Sequence, residues 1–154
     1  MEATNAGLGL DCNNAHVQPN GKYHYHGIPE NYLRNIASEL TEMLLLGYAA
    51  DGFPIYYQYG YINSELSLLN SSYVLKSGNR LGNGIDEPCG TYNGVYTSDY
   101  EYIEGFGDLD ECNGYEGFTP EYPNRTYYYV LTEAYPGIPR CFKGIPSQDF
   151  RIGN

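Results

Sequence analysis

The chain has 154 residues, about one domain by length, and its 19 acidic against 8 basic residues give a formal net charge of −11. That balance excludes nucleic-acid binding by phosphate neutralisation and a polybasic membrane anchor, and no apolar run approaches the roughly 20 residues of a spanning helix. Disorder is excluded as well, because Tyr, Leu and Ile are plentiful and only 18% of residues are charged. Nineteen tyrosines, nineteen glycines, nine prolines and no tryptophan predict a β-rich α+β fold. Its strands are expected to be mainly antiparallel, with one or two short helices, in a single domain over residues 1–154.

In chain order, the first element is a short strand at Tyr23-His24-Tyr25-His26. Leu33, Ile36, Ala37, Leu40 and Leu44 then follow helical spacing and predict a helix over 30–44, with Pro29 and Glu30 at its start. Leu44 to Tyr57 reads as a buried strand broken by a turn at Asp51-Gly52. A second short helix is expected between Asn63 and Asn70. Residues 80–94, rich in Gly and Asn, read as an irregular loop. Alternation predicts strands at Val95–Ile103 and Tyr127–Thr132.

Three landmarks recur in order. Gly9-Leu10-Asp11-Cys12-Asn13 returns as Asp108-Leu109-Asp110-Glu111-Cys112-Asn113, a tyrosine strand follows each, and each strand leads to Gly-Ile-Pro, at 27–29 and 137–139. The chain is therefore read as two related turn-strand modules in which Cys12 and Cys112 are equivalent. Four cysteines without a CxxC pair speak against a zinc ribbon and fit an exported protein with up to two disulfides. Cys112–Cys141 is favoured as the pair inside the second module, which leaves Cys12–Cys89 by elimination. Sequons stand at Asn70 and Asn124. Met1-Glu2 opens on no signal peptide, so an exported form implies a leader already trimmed.

All three histidines, His16, His24 and His26, fall within eleven residues. His24 and His26 leave the same face of a strand, and the turn at Pro19-Asn20-Gly21 can fold His16 back as a third ligand. Three imidazoles suit zinc or copper and leave one coordination position open. Tyr23 and Tyr25 are expected to pack in the core on the opposite face, and Asp11 to steady an imidazole from behind. Asp51, at the end of its strand, is the candidate general base or metal helper. The acidic stretch Asp108-Leu109-Asp110-Glu111 lacks the spacing of a calcium loop, and no phosphate-cradling or GxSxG motif is present.

These residues resemble the YHYH domain family, named for the tetrapeptide found here at 23–26. Leu45-Leu46-Gly47-Tyr48-Ala49-Ala50-Asp51-Gly52-Phe53-Pro54-Ile55-Tyr56 is similar to its central signature, and Asp108–Gly114 and Pro139–Gly144 to its later landmarks. The resemblance implies an exported, extracellular or periplasmic protein with a largely unassigned biochemical role. One departure is Tyr128, which stands where a second-module histidine is expected in some relatives, so a single site in the first module is expected. The combined reading is a domain binding one zinc or copper ion, extended to a metal-dependent hydrolase or oxidase. The alternative is a non-enzymatic module binding a glycan, another small molecule or a protein through tyrosines such as Tyr96, Tyr100 and Tyr102. Neither reading includes nucleic acid or a membrane.

Overall fold

A computed structural model describes residues 7–37 and 39–150. Its centre is a four-stranded sheet ordered β3-β4-β10-β9, with β3 at Leu44–Tyr48, β4 at Pro54–Tyr57, β9 at Gly114–Gly117 and β10 at Thr126–Leu131. β3 pairs antiparallel with β4 and β9 antiparallel with β10, while β4 and β10 run parallel. Side chains of β10 alternate between two apolar layers, as the two-residue period of a strand requires. Tyr128 and Val130 join Met43, Tyr56, Leu69 and Leu109 on one face. Leu131 packs with Leu33 and Tyr57 on the other, where Tyr127 and Tyr129 also pack with Cys112.

Three small antiparallel pairs surround this sheet: β1 (Ala15–Val17) with β2 (Tyr23–Tyr25), β5 (Tyr59–Ile62) with β6 (Glu65–Leu68), and β7 (Tyr73–Leu75) with β8 (Tyr100–Tyr102). The fold is thus β-rich α+β with mostly antiparallel strands. The turn at Asp51-Gly52 joins β3 and β4 as expected, with Gly52 at φ 87°, a conformation glycine adopts without steric cost. No described helix is long and apolar enough to cross a membrane.

Four elements differ from expectation, each for a local reason. The helix α1 covers only Glu30–Ile36, and Ala37 is already extended. Leu44, the last residue of the supposed apolar stripe, instead pairs with Tyr57 in the β3–β4 ladder, and Ile36 stays 43% exposed. The segment 63–70 is no helix but the turn and return strand of the β5–β6 hairpin. Asn63 (φ 51°) and Ser64 (φ 68°) form a two-residue connection with left-handed backbone, which matches strand twist. The strand expected from Val95 begins only at Tyr100, because Thr97–Asp99 forms a 3-10 turn. The carboxylate of Asp99 accepts the N–H groups of Gly94 and Tyr96 and so competes with a ladder there. Finally, Cys112–Cys141 is bonded, whereas Cys12 and Cys89 are exposed free thiols and not a second disulfide.

The loop over 80–94 is organised by one buried ion pair. Arg80 makes a two-pronged contact to Asp99, Nε and one terminal nitrogen each 2.7 Å from a carboxylate oxygen, and Asp99 is fully buried. The same guanidinium reaches the Cys89 carbonyl and Asn93 Oδ1, and lies over the Tyr96 ring. It holds the Asp99 carboxyl well below the usual carboxylate range. A depressed folded pKa stabilises above the unfolded value and loses that contribution as pH falls toward the folded one. Arg80→Ala is therefore expected to lower the urea midpoint clearly at neutral pH, because it leaves the Asp99 carboxylate without its cation. Urea unfolding at pH 7 measures this, and the difference from wild type should shrink in strong acid.

Candidate metal centre

The first hairpin and the β9–β10 hairpin are built on one plan. Asp11 and Asp110 each open a tight loop in which the backbone N–H bonds the carbonyl four residues on, at Ala15 and Gly114, both at 2.9 Å. In each loop one carboxylate oxygen accepts two backbone N–H groups: Asn13 and Ala15 on Asp11, Cys112 and Gly114 on Asp110. Asn14 and Asn113 follow with left-handed backbone (φ 53° and 59°), and their carbonyls accept the N–H groups of His26 and Val130. A tyrosine on the returning strand then donates its hydroxyl to the same carboxylate, Tyr23 to Asp11 and Tyr127 to Asp110. The strand registers agree, Ala15 opposite Tyr25 and Gly114 opposite Tyr129. Under this correspondence Asn13, not Cys12, is the counterpart of Cys112. That corrects the equivalence of Cys12 with Cys112.

The same correspondence matches His16 to Tyr115, His24 to Tyr128 and His26 to Val130. In the second hairpin those three residues contribute to the apolar layer. In the first, three half-buried imidazoles stand on that face and converge. His16 and His24 are directly opposed across β1 and β2. The Nε2 atom of His16 lies 3.2 Å from Nε2 of His24 and 3.2 Å from Nε2 of His26. One ligand atom from each ring lies within 4.8 Å of the others.

Hydrogen bonding alone does not satisfy this arrangement. His16 Nδ1 lies 3.2 Å from the Leu8 carbonyl, which accepts and does not donate, so in the neutral ring Nδ1 carries the hydrogen and Nε2 is a bare lone pair. One lone pair accepts one hydrogen, yet two imidazole nitrogens face it. A cation satisfies both contacts together. Bonds of roughly 2.0–2.1 Å in a tetrahedral zinc site place ligand nitrogens about 3.3 Å apart, close to both observed separations. His24 Nδ1 faces the Lys22 carbonyl at 3.5 Å, so backbone carbonyls orient two of the three rings from behind. Burial pulls the His26 pKa down, with the neighbouring His24 and His16 adding to the effect, which favours the neutral imidazole that binds metal.

Other expected site residues lie elsewhere. Asp11 spends its carboxylate on the Tyr23 hydroxyl and the loop backbone N–H groups, so its part is to shape the loop. Tyr23 and Tyr25, expected in the core, are 46% and 48% exposed and meet edge to face on the outer side of the hairpin. Asp51 accepts the Tyr129 hydroxyl and the Gly144 N–H and is not among the clustered ligands. The sequence reading missed Leu8, which acts through its carbonyl, and Gln18, whose side-chain amide lies 3.5 Å from His24 Nε2. It also missed a cavity of about 320 Å³ beside His26, lined by Glu30, Thr132, Glu133 and Arg140 among others.

Residues 1–144 match the family described as YHYH protein. The chain belongs to the YHYH family. No curated protein and no solved structure matches it. The YHYH tetrapeptide has two jobs here. Its histidines build the inner, cation-ready face of the hairpin, while Tyr23 anchors the loop through Asp11.

Asp11→Ala removes the acceptor for two N–H groups and one phenol and releases the register between His16 and His24. The expected result is metal affinity lowered roughly 10–100-fold, the size typical of losing a supporting partner, in a protein that still melts cooperatively. Competition with a chromophoric chelator measures it.

Proposed function

We propose that this is an exported metal-binding protein holding one zinc or copper ion through His16, His24 and His26. The observation that carries the proposal is the Nε2 atom of His16, which faces two other imidazole nitrogens at 3.2 Å with one lone pair. Neutral nitrogen donors suit both metals. Export is supported by the Cys112–Cys141 disulfide, which persists in oxidising compartments.

Three protein ligands leave a further position for water or substrate, and bound metal supplies Lewis-acid activation or, with copper, redox chemistry. On this reading the protein is a metal-dependent hydrolase or oxidase whose substrate occupies the cavity beside His26. Glu30, Glu133 and Arg140 supply charge along that cavity and Thr132 and Asn14 supply hydrogen bonds. Glu133 is fixed by the hydroxyl of Tyr57 at 2.5 Å. Asp51 contributes by position, holding Tyr129 and the chain at Gly144. The tyrosines considered as a glycan platform have ring partners within the chain: Tyr96 lies under Arg80, Tyr100 stacks on Tyr135 at 3.6 Å, and Tyr102 packs on Tyr73. That engagement favours the metal reading.

Elemental analysis of untagged protein, purified without chelator or metal columns, is expected to give one zinc or copper per chain. His24→Ala and His26→Ala should lose it while retaining the wild-type circular dichroism. Binding requires unprotonated imidazoles, so affinity should fall as the solution is made acidic. A protein that takes up neither metal at pH 7.5 contradicts the proposal.

A further inference from the structure

The two hairpins differ in what covers their outer faces. In the second, Tyr127 and Tyr129 meet edge to face at 5.2 Å and are 9% and 0% exposed. Phe53 packs edge to face on both rings, and the segment after Cys141, tethered to the hairpin through Cys112, is laid along their hydroxyl ends. The N–H of Lys143 donates to the Tyr129 hydroxyl at 2.6 Å. The Lys143 ammonium lies 3.3 Å from Asp110 Oδ2 and 5.3 Å from the centre of the Tyr127 ring.

In the first hairpin, the counterparts Tyr23 and Tyr25 meet at 5.5 Å in the same edge-to-face manner, and the counterpart of Asp110 is Asp11. Here the pair is about half exposed. Beside Tyr25 the surface continues into an apolar cleft of about 460 Å³ lined by Pro29, Tyr32, Leu46, Tyr48 and Ile138. Among the described residues, the same phenol pair and carboxylate are therefore present without a segment seated on them as residues 141–144 are seated in the second hairpin.

We propose that the Tyr23–Tyr25 face binds an extended, lysine-bearing peptide segment of another protein, seated as residues 141–144 are seated on Tyr127 and Tyr129. The lysine of the partner lies over Tyr23 and meets Asp11, a backbone N–H donates to the Tyr25 hydroxyl, and a neighbouring apolar side chain enters the cleft. The net charge of −11 favours a basic partner in the approach as well. This face lies opposite the imidazoles and does not depend on metal, because successive residues of β2 point to opposite sides.

The test titrates the full chain with a synthetic peptide of residues 139–146 carrying Cys141→Ser, followed by NMR of the tyrosine rings. The expected result is saturable binding with shifts at Tyr23 and Tyr25. Affinity should fall at least tenfold when the peptide carries Lys143→Glu or the protein carries Tyr25→Ser. Tyr25→Phe, which keeps the ring, should weaken binding by a smaller factor and covers the case in which Tyr25→Ser fails to fold. No saturation by about 1 mM peptide, shifts confined to Tyr127 and Tyr129, or full affinity in the Tyr25 variants would overturn the proposal.

Discussion

The carboxylate of Asp11 carries the local structure on which the candidate site depends. One oxygen gathers two backbone N–H groups and the other takes the hydroxyl of Tyr23 from the returning strand. The loop so formed has further attachments. Asn13 Oδ1 accepts the N–H groups of Asn31 and Tyr32, donors that the first turn of α1 cannot satisfy within itself. Asn14 takes the His26 N–H on its carbonyl and gives its side-chain amide to the Ile28 carbonyl. A few polar residues thereby lock strand, strand and helix together in a region with little apolar burial. Asp110 does the same work in the second hairpin, where Tyr115, Tyr128 and Val130 pack the inner face into the core. The first hairpin has exchanged that apolar filling for three imidazoles, and a bound ion would restore cohesion to the face.

The acidity and the tyrosine content belong together. Buried phenols need an acceptor, and carboxylates supply it repeatedly. Tyr56 donates to Glu121, Tyr57 to Glu133, Tyr127 to Asp110 and Tyr129 to Asp51. Burial pushes all four phenol pKa values well up, so the hydroxyls stay protonated as donors across the physiological range. Such pairs tie distant parts of the chain to the central sheet, and they account for acidic side chains that would otherwise read as solvated surface.

Much of this was legible in the sequence because the signals were local. The His-x-His spacing, with no histidine elsewhere, marked the three converging residues, and Asp51-Gly52 marked the β3–β4 turn. The recurring Asp-Cys-Asn landmarks marked the two hairpins, although aligning them on cysteine rather than aspartate put the correspondence one residue out. What was hidden depended on partners far along the chain. Leu44 satisfies a helical stripe equally well, and only the ladder with Tyr57 makes it a strand residue. Among the described residues no segment covers Tyr23 and Tyr25, and no pattern within β2 records that. Asp51 stands at a strand end, from which the sequence allows its carboxylate to project toward the histidines, whereas its bonds run to Tyr129 and Gly144 in the C-terminal part of the chain.

The central claim is that three imidazoles on one hairpin share a single ion. X-ray absorption at the metal edge of the zinc-loaded protein tests it most directly. The account predicts three imidazole nitrogens at roughly 2.0–2.1 Å with one further light ligand and no sulfur. A shell containing sulfur from Cys12 or Cys89, or one with fewer than three imidazoles, would contradict it.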